Sequence, residues 1–262
     1  MEIIARALQR ARSVPPINVA RASFQEVPND RSVMLRDGPG AIDEDMTVEL
    51  SPRDLLSKRV VAYDSNHRTT RSYDVLRNQL QTITQDTRSS LIAVAAPTAG
   101  CGTTTAAINL ALSFSRVRGT SVLLVDANLR APRIHTMLGL PTATSNTDVA
   151  QELALADVAG IQFHVFCPTD RIGRAPSKLD VTEFSRQMDA IRRSLSPSVT
   201  IIDLPPMLIA DEAASLASNA DAVVLLLSVG QSKLSELEIC KSYLGAKANI
   251  QVVLNKCRAH GL

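Results

Sequence analysis

The sequence predicts an α/β protein built on a doubly wound, mostly parallel sheet that is flanked by helices. Short apolar runs alternate with stretches of helical periodicity over most of the chain, which is the pattern of parallel strands joined by crossover helices. The runs are continuously apolar, as expected for strands that are covered on both faces. A glycine-bearing turn follows one run and aspartates end two others, and in such sheets ligands bind at the carboxyl ends of the strands.

The first 58 residues are predicted to form an N-terminal amphipathic helix and a flexible linker. Apolar side chains fall on one face of residues 1–12, namely Ile3, Ile4, Ala7, Leu8 and Ala11. Such a helix would dock on its own domain, on a partner or on a membrane surface. Residues 13–58 carry several prolines, scattered charge and weak periodicity, so we expect a disordered linker there. The α/β domain is accordingly predicted to comprise residues 59–262.

The α/β domain is predicted to begin with an extended segment or edge strand at residues 59–63, followed by a helix at residues 71–81. Apolar runs predict the strands 91–96, 121–126, 161–166, 199–204, 222–227 and 250–254. Helical spacing of apolar residues predicts the helices 103–114, 181–195, 211–218 and 232–245. Residues 142–157 are predicted to be polar at first and then helical.

Composition argues against several classes of function. The net charge of +2 and an aromatic content of 3% without tryptophan are unfavourable for binding nucleic acid. No apolar run approaches the roughly 20 residues that span a bilayer, and the start of the chain lacks the apolar core of a signal peptide. The four cysteines are far apart without metal-ligand spacing, which predicts reduced thiols and a cytoplasmic location.

The most informative stretch is residues 91–105, which is predicted to form a strand, a glycine-bearing loop and the start of a helix. Gly100 and Gly102 allow several backbone N–H groups to point towards one anion, and the helix N-terminus adds partial positive charge. These features are typical of a phosphate-binding loop. A lysine normally follows the second glycine of such a loop, and here that position is Thr103.

Two aspartates stand at strand ends that the predicted topology brings to the same edge of the sheet. Asp126 ends the run SVLLVD, and Asp203 lies at the end of VTIID. A carboxylate beside a phosphate loop is suited to orienting a metal ion or a water molecule. We therefore expect both residues to belong to the ligand site.

These motifs resemble the MinD/ParA-like deviant P-loop superfamily and, within it, the bacterial tyrosine autokinases (BY-kinases) of polysaccharide synthesis and export. The matching segments follow the family's order along nearly the whole chain. They are IIARALQRAR, YDVLRNQL, APTAGCGTTTAAINLA, VLLVDANLRAP, IIDLPPMLIAD and VVLNK. The Asp-x-Asn-Leu-Arg-x-Pro and Ile-Ile-Asp-x-Pro-Pro motifs are the most specific of them.

The resemblance implies a P-loop NTPase-like domain that binds ATP or ADP together with Mg²⁺. The residues that match the phosphate loop are Gly100, Cys101, Gly102, Thr103, Thr104 and Thr105. Thr104, Asp126 and Asp203 match positions that hold Mg²⁺, and the two aspartates also match the catalytic positions. Binding of either nucleotide would be weak, or lost, if the missing lysine is not replaced.

The sequence departs from the family at charged positions of the site. Thr103 replaces a lysine whose charge, at about 4 Å from a phosphate, contributes roughly 4 kcal/mol at an effective dielectric near 20. A helix terminus supplies only about 0.3–2 kcal/mol. The second family motif is Asp-x-Asp-x-Arg, and here Asn128 removes one carboxylate while Arg130 is kept. Asn255 matches a position that contacts adenine.

Two other family features are altered. The family carries a tyrosine-rich C-terminal tail as its own substrate, whereas the last tyrosine of this sequence is Tyr243, in a predicted helix. The family's ring contact uses Glu-x-x-Arg-x-x-Arg on the helix before the loop, and the corresponding residues here are Arg71, Asp74 and Arg77. The first two signs are reversed, so we expect a charge-swapped homo-oligomer or a hetero-oligomer if this helix forms a contact.

Three functional hypotheses follow. The first is a degenerate tyrosine-kinase-like protein, a pseudokinase that serves as regulatory partner of a membrane polysaccharide co-polymerase (chain-length regulator) in exopolysaccharide or capsule biosynthesis and export. It would be cytoplasmic and peripheral to the inner membrane through that partner. The second is an active ATP-dependent protein tyrosine kinase in which Arg130, or a basic residue from a partner, replaces the lysine. The third is a MinD/ParA-type positioning ATPase.

Overall fold

An eight-stranded sheet organises the protein in the computed structural model, which describes residues 47–140, 153–168, 181–246 and 248–257. The strands are β1 (Thr47–Glu49), β2 (Ser90–Ala95), β3 (Val122–Asp126), β4 (Leu153–Val158), β5 (Ile161–Phe166), β6 (Val199–Asp203), β7 (Ala222–Ser228) and β8 (Ile250–Asn255). Their order across the sheet is β1-β4-β5-β3-β6-β2-β7-β8. Neighbouring strands are parallel except for β4 and β5, which are antiparallel.

Helices cover both faces of the sheet. Those of the described residues are α1 (Pro52–Ser57), α2 (Thr70–Ile83), α3 (Thr103–Ser115), α4 (Ile134–Leu138), α5 (Val181–Leu195), α6 (Asp211–Ala217) and α7 (Leu234–Leu244). One apolar layer contains α2 and α3, and a second contains α5, α6 and α7. Alternate side chains of β2 enter the two layers, with Ile92 and Val94 in the first and Leu91 and Ala93 in the second. The doubly wound, mostly parallel fold predicted from the sequence is confirmed.

Helix α3 is buried around most of its circumference. Its small residues Ala106, Ala107 and Ala111 let the helix lie close to the sheet, while Ile108 and Leu112 fill the layer shared with α2. The helix starts directly after Gly102, so the packing of α3 fixes the position of the preceding loop. None of the described helices is long and apolar enough to cross a membrane.

The structure corrects the predicted start of the α/β domain. Residues 47–58, which the sequence analysis assigned to the linker, form β1 and α1. Strand β1 pairs with β4, and the side chain of Leu55 in α1 is 1% exposed. Helix α1 begins with a Ser51 hydroxyl that accepts from the Asp54 N–H at 3.3 Å, followed by Pro52 in the first turn. The predicted helix and linker at residues 1–46 lie outside the described residues.

The helix predicted at the end of residues 142–157 is also wrong. Residues 153–158 form β4, which pairs antiparallel with β5 across a two-residue turn at Ala159 and Gly160. Both turn residues have positive φ, 53° and 79°, as tight hairpin turns require. The pairing with β5 decides the conformation here, because local periodicity carries no information about a hairpin partner. The remainder, residues 142–152, lies outside the described part of the chain.

The edge strand predicted at residues 59–63 is absent: residues 60–62 are buried, Arg59 is exposed with a φ of 62°, and the segment pairs with no described strand. The side chain of Asn109, on α3, takes the place of a neighbouring strand. Its Oδ1 accepts from the backbone N–H groups of Val61 and Ala62 at 2.7 and 2.9 Å, and its Nδ2 donates to the carbonyl oxygens of Arg59 and Thr105 at 3.0 and 2.8 Å. One fully buried amide therefore ties the start of the domain to the central helix.

We predict that Asn109→Ala lowers the free energy of unfolding by about 2–4 kcal/mol, because it leaves two buried N–H groups without an acceptor. Urea denaturation followed by circular dichroism measures the change. Asn219→Ala removes the same group from an exposed position and should change stability by less than about 0.5 kcal/mol. Equal effects of the two substitutions would contradict the role given to Asn109.

Candidate functional site

The carboxyl ends of three adjacent strands bring together the residues that the sequence singles out. The loop of residues 96–102 leaves β2, Asp203 ends β6 next to it, and Asp126 ends β3 on the far side of β6. Asp126 and Asp203 are register partners in the β3–β6 pair. Parallel pairing thus places the loop and both carboxylates at one edge of the sheet, as the sequence predicted.

The loop presents a row of unpaired backbone donors. Within the described part of the chain, the N–H groups of residues 100–104 have no hydrogen-bond acceptor. Gly100 and Gly102 have φ of 82° and 91°, a conformation that side-chain-bearing residues rarely adopt. Successive N–H groups in such a turn, followed by a helix N-terminus, form a concave anion-binding surface.

Thr104 and Asp203 are in direct contact beneath the loop. The Thr104 hydroxyl donates to Oδ2 of Asp203 at 2.6 Å, and both side chains are buried. The other oxygen of Asp203, Oδ1, is buried and has no hydrogen-bond partner among the described residues. Burial, reinforced by the negative charge of Asp126, raises the pKa of Asp203 to about 8 against the opposing hydrogen bond from Thr104.

Asp126 is equally buried but its oxygens are satisfied by the backbone. Oδ1 accepts from the N–H of Asn128 at 3.1 Å, and Oδ2 accepts from the N–H groups of Arg133 and Ile134 at 2.7 and 2.9 Å. Burial raises the pKa of Asp126, and these three hydrogen bonds oppose the rise. Asp126 therefore shapes the segment between β3 and α4 and adds negative charge beside Asp203.

Arg130, a candidate to replace the missing lysine, is paired with Glu212 on α6. Nε of Arg130 lies 2.8 Å from Oε1 of Glu212, and Nη2 of Arg130 lies 3.2 Å from Oε2 of Glu212. The Glu212 side chain is 8% exposed and that of Arg130 is 57% exposed. Sequence reasoning missed Glu212, although it directly follows Asp211 at the start of α6.

The other predicted ligand residues surround the loop. The Asn128 side chain is half-buried in the segment that follows β3, and Thr105 lies in the first turn of α3. Cys101 is buried, with its Sγ 3.6 Å from the Ser232 hydroxyl oxygen. Asn255, matched to an adenine contact, donates from Nδ2 to the Cys101 carbonyl oxygen at 2.8 Å.

Sequence reasoning also missed the segment after β7, which contacts the loop. Nε2 of Gln231 donates to the Ala99 carbonyl oxygen at 2.9 Å, and the Ser232 hydroxyl accepts from the Ser228 N–H at 2.9 Å. A sequence signal was present, because a Val-Gly turn after a buried strand must lie at the same sheet edge as the loop. That signal does not indicate which carbonyl each side chain reaches.

The helix matched to the family's ring contact uses two of its three charged residues within the chain. Asp74 pairs with Arg77 and with Arg116 of the segment after α3. Arg77 also donates to the Ser113 carbonyl oxygen at 2.8 Å, and the Ser113 hydroxyl donates to Asp74 at 2.6 Å. Arg71 is exposed. Asp74 and Arg77 therefore fasten α2 to α3 in this structure.

Comparison with known sequences supports the resemblance. The tyrosine-protein kinase YwqD of Bacillus subtilis is 29% identical over 189 residues, which are 68% of this chain and 79% of YwqD. The tyrosine-protein kinase CpsD of Streptococcus pneumoniae is 28% identical over 179 residues, 63% of this chain and 75% of CpsD. This chain is a homologue of bacterial tyrosine-protein kinases. EpsB of Ralstonia solanacearum is 28% identical over 68% of this chain, which spans only 24% of EpsB.

Solved structures confirm the P-loop NTPase-like fold of this homologue. The VpsO kinase domain superposes with a TM-score of 0.61 at 19% identity, over 79% of this chain and all of that domain. The kinase domain of the Escherichia coli tyrosine kinase ETK gives 0.57 at 18% identity, over 83% and 92% of the two chains. The septum-site-determining protein MinD from Pyrococcus horikoshii gives 0.51 at 17%, over 63% and 70%. No family model matches the chain.

We predict that Asp203 makes stability fall with pH in the absence of metal. Its pKa of about 8 in the folded protein exceeds the ordinary 3.8, so the protonated form stabilises the fold. That contribution is fully present below about pH 4 and is lost as the pH rises towards about 8. Asp203→Asn should flatten this decline and be more stable than wild type at pH 8–9 by about 1–3 kcal/mol.

Urea denaturation from pH 4 to 9 in EDTA measures the effect. Asp86→Asn removes a carboxylate from an exposed position and serves as the matched control. A decline that is equally steep in wild type and Asp203→Asn would show that Asp203 is ionised in the folded protein.

Proposed function

We propose that this chain is a nucleotide-binding, tyrosine-kinase-like pseudokinase that acts as a regulatory partner in bacterial exopolysaccharide or capsule biosynthesis and export. The observation that carries the proposal is that the loop keeps the structural features of a phosphate-binding site but lacks its lysine. The unpaired N–H groups of residues 100–104 and the Thr104–Asp203 contact are present, whereas Thr103 stands at the lysine position. Such a site would retain recognition of a phosphate while losing the charge that stabilises its transfer.

The residues fit a magnesium-bound phosphate. Oδ1 of Asp203 is a buried oxygen without a hydrogen-bond partner in the described part of the chain, and the Thr104 hydroxyl lies beside it. Hydroxyl and carboxylate oxygens are the ligands that Mg²⁺ prefers, usually with retained waters. Thr104 and Asp203 would hold the ion, with Asp126 adding negative charge at its side. When bound, Mg²⁺ would neutralise charge on the phosphates of ATP or ADP.

The missing cation is what favours a regulatory role over catalysis. Arg130 is occupied by Glu212, a buried carboxylate that would lose its ion pair if Arg130 turned towards the loop. Thr103 offers only a hydroxyl, which carries no charge. Without a charge worth roughly 4 kcal/mol, affinity for a nucleotide would fall by up to about a thousandfold.

An active kinase is the second candidate, and the retained acidic pair favours it. Asp126 and Asp203 are both buried at the strand ends, and the relatives YwqD and CpsD are named as tyrosine-protein kinases. In this alternative Arg130 would leave Glu212 when a nucleotide binds. Arg130→Ala should then abolish tyrosine phosphorylation that wild type catalyses, as measured with radiolabelled ATP and each candidate partner.

The partner that we propose is a membrane polysaccharide co-polymerase, which would hold this chain at the cytoplasmic face of the inner membrane. The support is the resemblance to BY-kinases. Because Asp74 and Arg77 are engaged between α2 and α3, a contact through α2 would rely on Arg71 and its exposed neighbours such as Val75. This differs from the alternating charges of the family's ring.

We predict that Thr103→Lys increases the affinity for ADP and Mg²⁺ by about 100- to 1,000-fold, because it restores the cation at the terminal phosphate. Isothermal titration calorimetry measures the change. Thr82→Lys adds the same charge at an exposed position on α2 and should leave affinity within about twofold. An unchanged affinity in Thr103→Lys would contradict nucleotide binding at this loop, and micromolar binding of ATP with turnover by wild type would contradict the pseudokinase assignment.

A further inference from the structure

The carbonyl groups of the phosphate loop are held from one side by two side-chain amides. Gln231 follows β7 and donates to the Ala99 carbonyl oxygen at 2.9 Å, and Asn255 ends β8 and donates to the Cys101 carbonyl oxygen at 2.8 Å. Strands β7 and β8 both lie on the side of β2 that is opposite to β6 and β3. Both carbonyl groups are therefore turned away from the acidic residues.

Fixing these carbonyl groups also fixes the N–H groups of the same peptide planes. In a trans peptide the C=O and the following N–H point in opposite directions, and the described residues contain no cis peptide. The Ala99 carbonyl shares its plane with the Gly100 N–H, and the Cys101 carbonyl shares its plane with the Gly102 N–H. Both N–H groups are thus directed away from the amides of Gln231 and Asn255.

Asn255 is itself held and packed tightly against the loop. Its Oδ1 accepts from the Lys256 N–H at 2.8 Å, and its backbone oxygen accepts from the Val229 N–H at 3.0 Å. A Cβ atom on Gly102 would lie 2.6 Å from Nδ2 of Asn255, so only glycine fits beside this amide. The Asn255 side chain therefore restricts the position of the loop at Cys101 and Gly102.

We infer that Gln231 and Asn255 are positioning residues that preset the Gly100 and Gly102 N–H groups for the oxygens of a bound phosphate. This inference rests on the proposed phosphate-binding role of the loop and assigns Asn255 a task other than contacting adenine. With Thr103 in place of lysine, the backbone donors carry a larger share of phosphate recognition. Their prior orientation removes an ordering cost that a free loop would meet on binding.

The test uses glycine-selective ¹⁵N labelling of the full chain and titration with inorganic pyrophosphate and Mg²⁺. The chain has 11 glycines, and Gly102 is the one glycine that follows a cysteine, so ¹³C-carbonyl cysteine identifies its resonance. Gln231→Met and Asn255→Leu remove the donors without adding charge. Asn249→Leu, immediately before β8, removes a comparable hydrogen bond from Nδ2 of Asn249 to the Asp221 carbonyl oxygen and is the matched control.

Wild type should show pyrophosphate-dependent shifts of the Gly102 amide. Each loop variant should weaken binding by about tenfold and reduce the limiting shift, the double variant should weaken it by about a hundredfold, and Asn249→Leu should bind within about twofold of wild type. Thermal melts check folding. If Asn255→Leu does not fold, Gln231→Met, at an exposed residue, decides the matter alone.

Two results would overturn the inference, and they are distinguishable. Binding by wild type that is unchanged in Gln231→Met and Asn255→Leu would reject the positioning role and leave the proposed function intact. No shift of Gly102 in wild type at about 10 mM pyrophosphate, which would occupy most of a site with a Kd of about 1 mM, would reject both.

Discussion

The burial of two carboxylates at adjacent strand ends is the constraint on which the arrangement of the site depends. Asp126 and Asp203 are both fully buried and are register partners, so each raises the cost of ionising the other. The two carboxylates differ in the hydrogen bonds that offset this cost. Asp126 accepts three backbone hydrogen bonds, whereas Asp203 has one short hydrogen bond from Thr104 and an oxygen that has no hydrogen-bond partner among the described residues. That asymmetry makes Asp203, rather than Asp126, the proposed ligand of an external cation.

Helix α3 connects the buried aspartates to the rest of the domain. Thr104 reaches Asp203 because α3 begins immediately after Gly102, and the position of α3 is fixed by close packing of small residues against the sheet. Asn109, one turn further along, fastens the start of the domain to the same helix. Asp74, Arg77 and Arg116 fasten α2 to its other end. A single helix therefore links the domain's entry segment, helix α2 of the same apolar layer and the candidate ligand site.

Charge at the candidate site differs from that of a phosphate-binding loop that carries a lysine. The loop offers backbone dipoles and the acidic residues offer oxygen ligands, but the cation expected after Gly102 is replaced by Thr103. Arg130 is present at the same edge, yet Glu212 holds it in an ion pair. Backbone donors can bind an anion without supplying a full charge, and this distribution is the basis of the proposed pseudokinase role.

The sequence by itself determined the doubly wound fold, six of the eight described strands, and the sheet edge at which the loop and the two aspartates lie. Continuous apolar runs require burial on both faces, and residues at the ends of parallel strands must meet at one edge, so the places of Gly102, Asp126 and Asp203 followed from pattern alone. Only the tertiary structure decided that residues 47–58 join the domain, that β4 is a strand, and which partners Asn109, Arg130, Asp74 and Asn255 choose. These outcomes depend on pairing between residues far apart in the chain. Local periodicity and propensity indicate the conformation that a segment prefers. They do not indicate which distant carbonyl or carboxylate group will be the partner of its side chains.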